Sequence, residues 1–227
     1  MNQNKPNLNQ YLALATDYDG TIAKDGRVKQ TTRAAIANLR QSGKKVILVT
    51  GRRIISLKRV YDRLADFDLI VAENGAVIYN PQTEKSQLLG QKPPQDFIDF
   101  LNNKGVNPLT VGEVVVATWK PHHNSAIEVI KTMNLPFEII LNKKAVMILP
   151  AGVNKASGLK TAIAELNLSL ESVIGIGDAE NDLDLLRISG FGIAVANALP
   201  ILKQQADWIA RGERGEGVEQ AIEMMLK

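Results

Sequence analysis

Lys45-Val46-Ile47-Leu48-Val49 carries four apolar residues in succession, too few for a helix and without the alternation of a strand wetted on one face. Such a run belongs inside a parallel sheet covered on both sides. Similar strands are expected over residues 11–16, 68–72, 172–176, 191–195 and 207–209. Between them the pattern predicts helices over 31–42, 53–65, 155–166, 182–188, 199–205 and 216–226. In the first of these Ala34, Ala35, Ile36 and Leu39 face inward, and Gly43 is placed to end it. Strands alternating with helices through short connections predict an α/β fold with a doubly wound, mostly parallel, Rossmann-like sheet.

The middle of the chain breaks that rhythm. From 81 to 152 the order reads helix (94–103), strand (113–118), helix (123–133) and two strands (137–142, 145–149). Asn80-Pro81, Pro93-Pro94 and Pro150-Ala151-Gly152 punctuate it. An inserted α+β lid is therefore expected over 81–152, in a catalytic core made of 11–80 and 153–227. Between Thr21 and Thr50 there is room for one helix and one strand, so the insertion must follow the third strand. A lid on two linkers above a sheet edge can exclude water and hold the rest of a substrate. Residues 1–10 are polar and Asn/Gln-rich and read as a disordered tail.

A net charge of +3 suits an anionic ligand, but the longest Lys/Arg runs are pairs, which gives no footprint for nucleic acid. Zero cysteines exclude disulfides and thiolate chemistry and fit a cytoplasmic location. No apolar stretch approaches a membrane span, and the N-terminus lacks a signal-peptide pattern. The sequence leaves the oligomeric state open.

The chemistry concentrates at strand ends. Asp17-Tyr18-Asp19-Gly20-Thr21 follows the first strand, and Gly20 lets the chain turn sharply enough to bring a second carboxylate back. An aspartate held there beside a divalent cation can attack phosphorus and form an aspartyl-phosphate. Thr50-Gly51-Arg52 follows the second strand, where a hydroxyl and backbone N–H groups can cradle a phosphate. Lys155 opens a helix after Asn154, and its ammonium can neutralise a phosphoryl oxygen. In Gly175-Ile176-Gly177-Asp178-Ala179-Glu180-Asn181-Asp182 an apolar strand delivers Asp178 to the same edge, with Asp182 one turn on. So many acids would repel one another without a cation among them, and oxygen-only ligation selects a hard ion, Mg²⁺. His122 and His123 lack the i, i+4 spacing of a metal pair. Trp119 reads as core or cavity lining, Arg52 as a possible anion clamp, and Arg53 as an alternative clamp or a solvated residue.

Taken in order, Asp-x-Asp-Gly-Thr, Thr-Gly-Arg, Lys and Gly-Asp-x-x-x-Asp resemble the haloacid dehalogenase superfamily. The closer resemblance is to Cof-type, subclass IIB phosphatases, whose cap follows the third core strand. Glu73-Asn74-Gly75-Ala76 is similar to that group's Asn-Gly-Ala segment. The resemblance covers roughly 11–80 and 153–225; Ala156 departs from it where glycine often follows the lysine. It implies Asp17 as nucleophile and Asp19 as general acid, then base. It implies Mg²⁺ held by Asp17, the backbone carbonyl of Asp19, and Asp178. The phosphoryl group would be bound by Thr50, Gly51 and Lys155, with Asn181 beside them. Asp182 would orient Lys155 or a metal-bound water, and Arg52 and Asn74 are possible substrate contacts. The implied activity is hydrolysis of small phosphorylated metabolites, sugar phosphates or phosphoglycolate-like acids. A phosphomutase or phosphotransferase on the same machinery is the nearest alternative, and a non-catalytic phospho-receiver a more distant one.

Overall fold

The computed structural model describes residues 6–227. In chain order the first half comprises β1 (Ala13–Thr16), β2 (Ala23–Lys24), β3 (Arg27–Val28), α1 (Gln30–Gln41), β4 (Lys45–Val49), α2 (Ile54–Val60), β5 (Leu69–Ala72), β6 (Val77–Asn80) and β7 (Lys85–Leu88). There follow α3 (Gln95–Asn103), β8 (Thr110–Val111), β9 (Val116–Trp119), α4 (His123–Thr132), β10 (Phe137–Asn142) and β11 (Ala145–Pro150). The chain closes with α5 (Lys155–Glu165), β12 (Val173–Gly177), α6 (Leu183–Ile188), β13 (Phe191–Ala194), α7 (Pro200–Lys203), β14 (Trp208–Ile209) and α8 (Gly215–Met225).

The main sheet runs β14-β13-β12-β1-β4-β5-β6-β7, parallel from β14 to β5 and antiparallel over the last two strands. Alternate residues of the buried strands enter different apolar layers. Ala13, Ala15, Ile47 and Val49 meet Leu159, Ala162 and Ile163 of α5. Leu14, Val46 and Leu48 share the other layer with Ile36, Leu39, Val218 and Ile222, so that α1 and α8 cover that face. The strand order turns outward in both directions from β1, and ligands of open α/β sheets bind at the carboxyl end of such a switch point.

A second sheet, β10-β11-β9-β8, is antiparallel and lies between β7 and α5 in sequence. Phe97 and Leu101 of α3 and Ala126 and Val129 of α4 pack with Val116 and Ile148 into a separate small core. Val114, Val115, Met147 and Leu149 join the large core instead, so the second sheet is seated on the first unit by apolar contact.

Four expectations change. Lys85–Leu88 adds an edge strand to the main sheet, so the segment that departs from it begins after residue 88 rather than at 81. Its residues are all exposed, which is why no strand pattern showed. The helix expected over 53–65 stops at Tyr61, whose backbone is extended. Its ring is buried beside Tyr18 and Phe67, and its hydroxyl donates to Asp66, which fixes the break. Within the tail expected over 1–10, Leu8 is fully buried in the large core, and Lys44 Nζ donates to the carbonyls of Asn9 and Tyr11. Residues 1–5 lie outside the described ones. Finally, a hairpin of β2 and β3 follows the first catalytic motif directly. Among the described residues no helix is long and apolar enough to cross a membrane.

The segment after β5 ties the two sheets together. Glu73 and Asn74 both sit at positive φ, 50° and 57°, followed by Gly75 at 111°. Left-handed backbone in non-glycine residues costs about 1 kcal/mol each. The offset is visible: the buried Glu73 carboxylate accepts from the backbone N–H groups of Glu113, Val114 and Val115 at 2.9–3.0 Å. Glu73→Ala strands those three donors and is expected to destabilise the protein by about 2–4 kcal/mol. Glu73→Gln, keeping one acceptor oxygen, should lose less. Urea denaturation midpoints at constant m-value check both.

Candidate active site

Asp17 stands one residue beyond β1 and is anchored by its own N–H, which donates to Ile176 of β12 at 3.0 Å. Asp178 follows β12 directly. Together with Asp182 these two form a buried cluster whose ligand oxygens all lie within 4.8 Å of one another. Gly20 makes the approach possible: at φ +90° its Cα lies so close that a Cβ would fall 2.5 Å from Asp178 Oδ2.

Lys155 binds the cluster from α5. Its fully buried Nζ donates to Asp17 Oδ1 at 2.5 Å and to Asp182 Oδ1 at 2.6 Å. The other oxygen of Asp182 accepts the N–H groups of Asp178 and Ala179, both at 3.0 Å. Asp182 thus has both oxygens engaged, and it fixes Lys155 and the turn that presents Asp178. Helix α5 is started firmly by reciprocal bonds between Asn154 and Ser157.

Burial pushes the Asp17 carboxyl up to about 8, against the lowering influence of Lys155 and helped by repulsion from Asp182 and Asp178. Burial alone would drain charge from Lys155, but Asp17 and Asp182 hold its pKa above the ordinary lysine value. Asp178 is likewise raised, chiefly by burial. Three carboxylates face only two ammoniums here, those of Lys155 and Lys143. With oxygen as the sole ligand atom, the cluster fits a hard cation.

Asp19 turns away from the cluster. Arg52 grips it bidentately, Nε to Oδ2 at 2.6 Å and Nη2 to Oδ1 at 2.8 Å, while the guanidinium lies over the Tyr18 ring. In this structure, then, Arg52 is paired with Asp19. The bond to Asp19 holds Arg52 still more firmly protonated than usual. Thr50 is buried at the end of β4, its Oγ1 accepting the Arg52 N–H at 3.1 Å, and Met147 of β11 stands over Gly51. Asn181 Nδ2 donates to Asn74 Oδ1 at 2.8 Å; Asn74 Nδ2 and Asn181 Oδ1 are buried without a partner. Arg53 donates to the Val111 carbonyl. His122 and His123 stand at the start of α4 and take no part in the acidic cluster; Trp119 is half exposed.

The residue missed in the sequence is Lys143. It sits in the two-residue turn between β10 and β11, and its Nζ donates to Asp178 Oδ2 at 2.7 Å, while its N–H donates to Glu180 at 3.2 Å. Burial works against its charge, but Asp178, joined by Asp17 and Asp182, raises its pKa above the ordinary value. Two apolar strand runs separated by Lys143-Lys144 were a signal that this turn could carry a cation.

Fold and site together define an α/β protein with a buried acidic cluster at its switch point and an α+β unit inserted beside it. The chain belongs to the haloacid dehalogenase-like hydrolase family, whose model matches residues 14–144 and 138–222. It is 29% identical over 223 residues to a phosphoglycolate phosphatase of Methanothermobacter thermautotrophicus, covering 94% of this chain and 98% of that one. It is 30% identical to a phosphoglycolate phosphatase of Archaeoglobus fulgidus, covering 94% and 96%. A solved sugar phosphatase of subclass IIB shares the fold with a TM-score of 0.76 at 21% identity, over 93% of this chain and 97% of that one.

Proposed function

We propose that this protein is a Mg²⁺-dependent phosphatase that hydrolyses phosphomonoesters of small metabolites through an aspartyl-phosphate on Asp17. The observation that carries this reading is the convergence of Asp17, Lys155, Asp178 and Asp182, from three distant segments, in one buried cluster at the sheet's switch point. The relatives named as phosphoglycolate phosphatases support it and point to a short phosphorylated acid as substrate.

Asp17 Oδ2 and Asp178 would hold the ion with the backbone carbonyl of Asp19, since both oxygens of Asp182 are already engaged. When bound, Mg²⁺ supplies positive charge for the carboxylates and for the phosphoryl oxygens. The residues divide the rest. An oxygen of Asp17 attacks phosphorus as the ester P–O bond breaks, and Asp19 gives a proton to the leaving oxygen. Asp19 then takes a proton from water, which attacks the phosphorus of the aspartyl-phosphate and returns Asp17 as carboxylate with release of phosphate. Lys155, the Thr50 hydroxyl and the N–H groups around Gly51 offset charge on the phosphoryl oxygens. Because Arg52 occupies both oxygens of Asp19 at rest, one of those bonds must yield before Asp19 can serve the leaving group. The unit spanning roughly 89–150 acts as the cap, with Met147 and Lys143 on its site-facing side. A cytoplasmic location suits a small-metabolite enzyme without cysteine.

Steady-state phosphate release from a panel of phosphorylated acids and sugars tests the reading. Repeated turnover is expected with Mg²⁺, silence in EDTA, and recovery when Mg²⁺ is returned in excess. Undiminished turnover in chelator would refute the metal role, and a single stoichiometric phosphorylation would indicate a receiver.

A further inference from the structure

Carboxylates crowd the site: Asp17, Asp178 and Asp182 are buried together, and Asp19 and Glu180 of the adjoining segments are partly exposed. A substrate whose phosphoryl group lies at Asp17 brings its other end among these carboxylates, where an anionic tail is repelled unless a cation meets it. Two of the available cations are committed. Lys155 is buried between Asp17 and Asp182, and Arg52 is spent bidentately on Asp19. Lys143 is different. Its side chain is 50% exposed although its Nζ is paired with Asp178, and its turn is held in place by Glu180. Its partner Asp178 is one of the residues that would hold a bound cation, whose positive charge would weaken the pairing with Lys143. Its backbone is also at φ +56°, a conformation that turns of this kind normally assign to Gly, Asn or Asp. A lysine placed there at a conformational cost of about 1 kcal/mol points to a use for its side chain.

We propose that Lys143 forms the subsite for a second anionic group on the substrate, the carboxylate of a short phosphorylated acid, and thereby separates such acids from phosphate esters with neutral tails. This subsite rests on the phosphatase reading above. The test compares kcat/KM for 2-phosphoglycolate and for p-nitrophenyl phosphate, with Mg²⁺, in the full-length wild type, Lys143→Met and Lys143→Arg. The ratio of the two values cancels any effect of Lys143 on the shared phosphoryl chemistry. In Lys143→Met the ratio is expected to fall about tenfold or more, the worth of one charge-assisted hydrogen bond, mainly through KM for phosphoglycolate. Lys143→Arg should restore most of it. A ratio in Lys143→Met within about twofold of wild type overturns the subsite, as does a wild type with no preference for phosphoglycolate. A wild type that releases phosphate from neither ester overturns the phosphatase reading beneath it.

Discussion

Asp17→Asn is expected to abolish phosphate release, a loss on the order of 10⁴-fold or more, while leaving the protein folded. The amide keeps the shape of the carboxylate and an oxygen to accept from Lys155. It loses the anionic oxygen that must reach phosphorus, and no neighbouring group can take that place: Asp178 and Asp182 are held by other bonds. A pH signature accompanies the loss. The Asp17 carboxyl, raised in the fold to about 8, keeps its proton where the unfolded chain has already released it. The stability this contributes is complete below the ordinary carboxylate pKa and is lost as pH rises through about 8. In chelator, therefore, the wild type should lose stability between pH 5 and pH 8.5 more steeply than Asp17→Asn, as read by urea midpoints. Retained turnover in the variant would remove Asp17 as nucleophile; parallel pH profiles would remove its raised pKa.

The parts of this molecule that the sequence discloses are those governed by local pattern. Val46–Val49 is buried on both faces, and nothing but a central strand explains four apolar residues in a row. The carboxylates of Asp17 and Asp178 could be assigned to one edge because each follows such a strand, and parallel neighbours end on the same side. The illegible parts depend on contacts between remote segments. Lys85–Leu88 carries no pattern because an exposed edge strand is held by backbone bonds alone. Glu73 satisfies three N–H groups some forty residues away, a debt visible only when both ends are in place. An arginine after a phosphate turn reads as an anion clamp, and the anion it clamps turns out to be Asp19. Lys143 reaches Asp178 from 35 positions away in the chain, so no spacing rule could have joined them.

Lys155→Met carries the largest expected cost in stability, about 3–5 kcal/mol at neutral pH in the absence of metal. Methionine has nearly the length and volume of the lysine stem, so the cost is electrostatic rather than a cavity. Removing the ammonium leaves Asp17 and Asp182 side by side in a buried site, each having lost a hydrogen bond of 2.6 Å or less. The Asp17 carboxyl, already raised by burial, must then bind its proton more tightly still in the folded state. A group with a raised folded pKa stabilises while protonated, so the deficit of the variant should shrink as pH falls towards 5 and widen above 7. The lysine behaves oppositely: its own contribution is intact throughout that range, because its folded pKa lies above the ordinary value near 10.5. Mg²⁺ should recover part of the loss by supplying charge to the same carboxylates, an effect readable as a metal-dependent rise in Tm larger in the variant than in the wild type. Asp182→Asn introduced together with Lys155→Met relieves the repulsion and should be more stable than Lys155→Met alone. If the single variant is instead as stable as the wild type across this pH range, the ammonium is not what holds the acidic cluster together, and the charge balance assigned to the site is wrong.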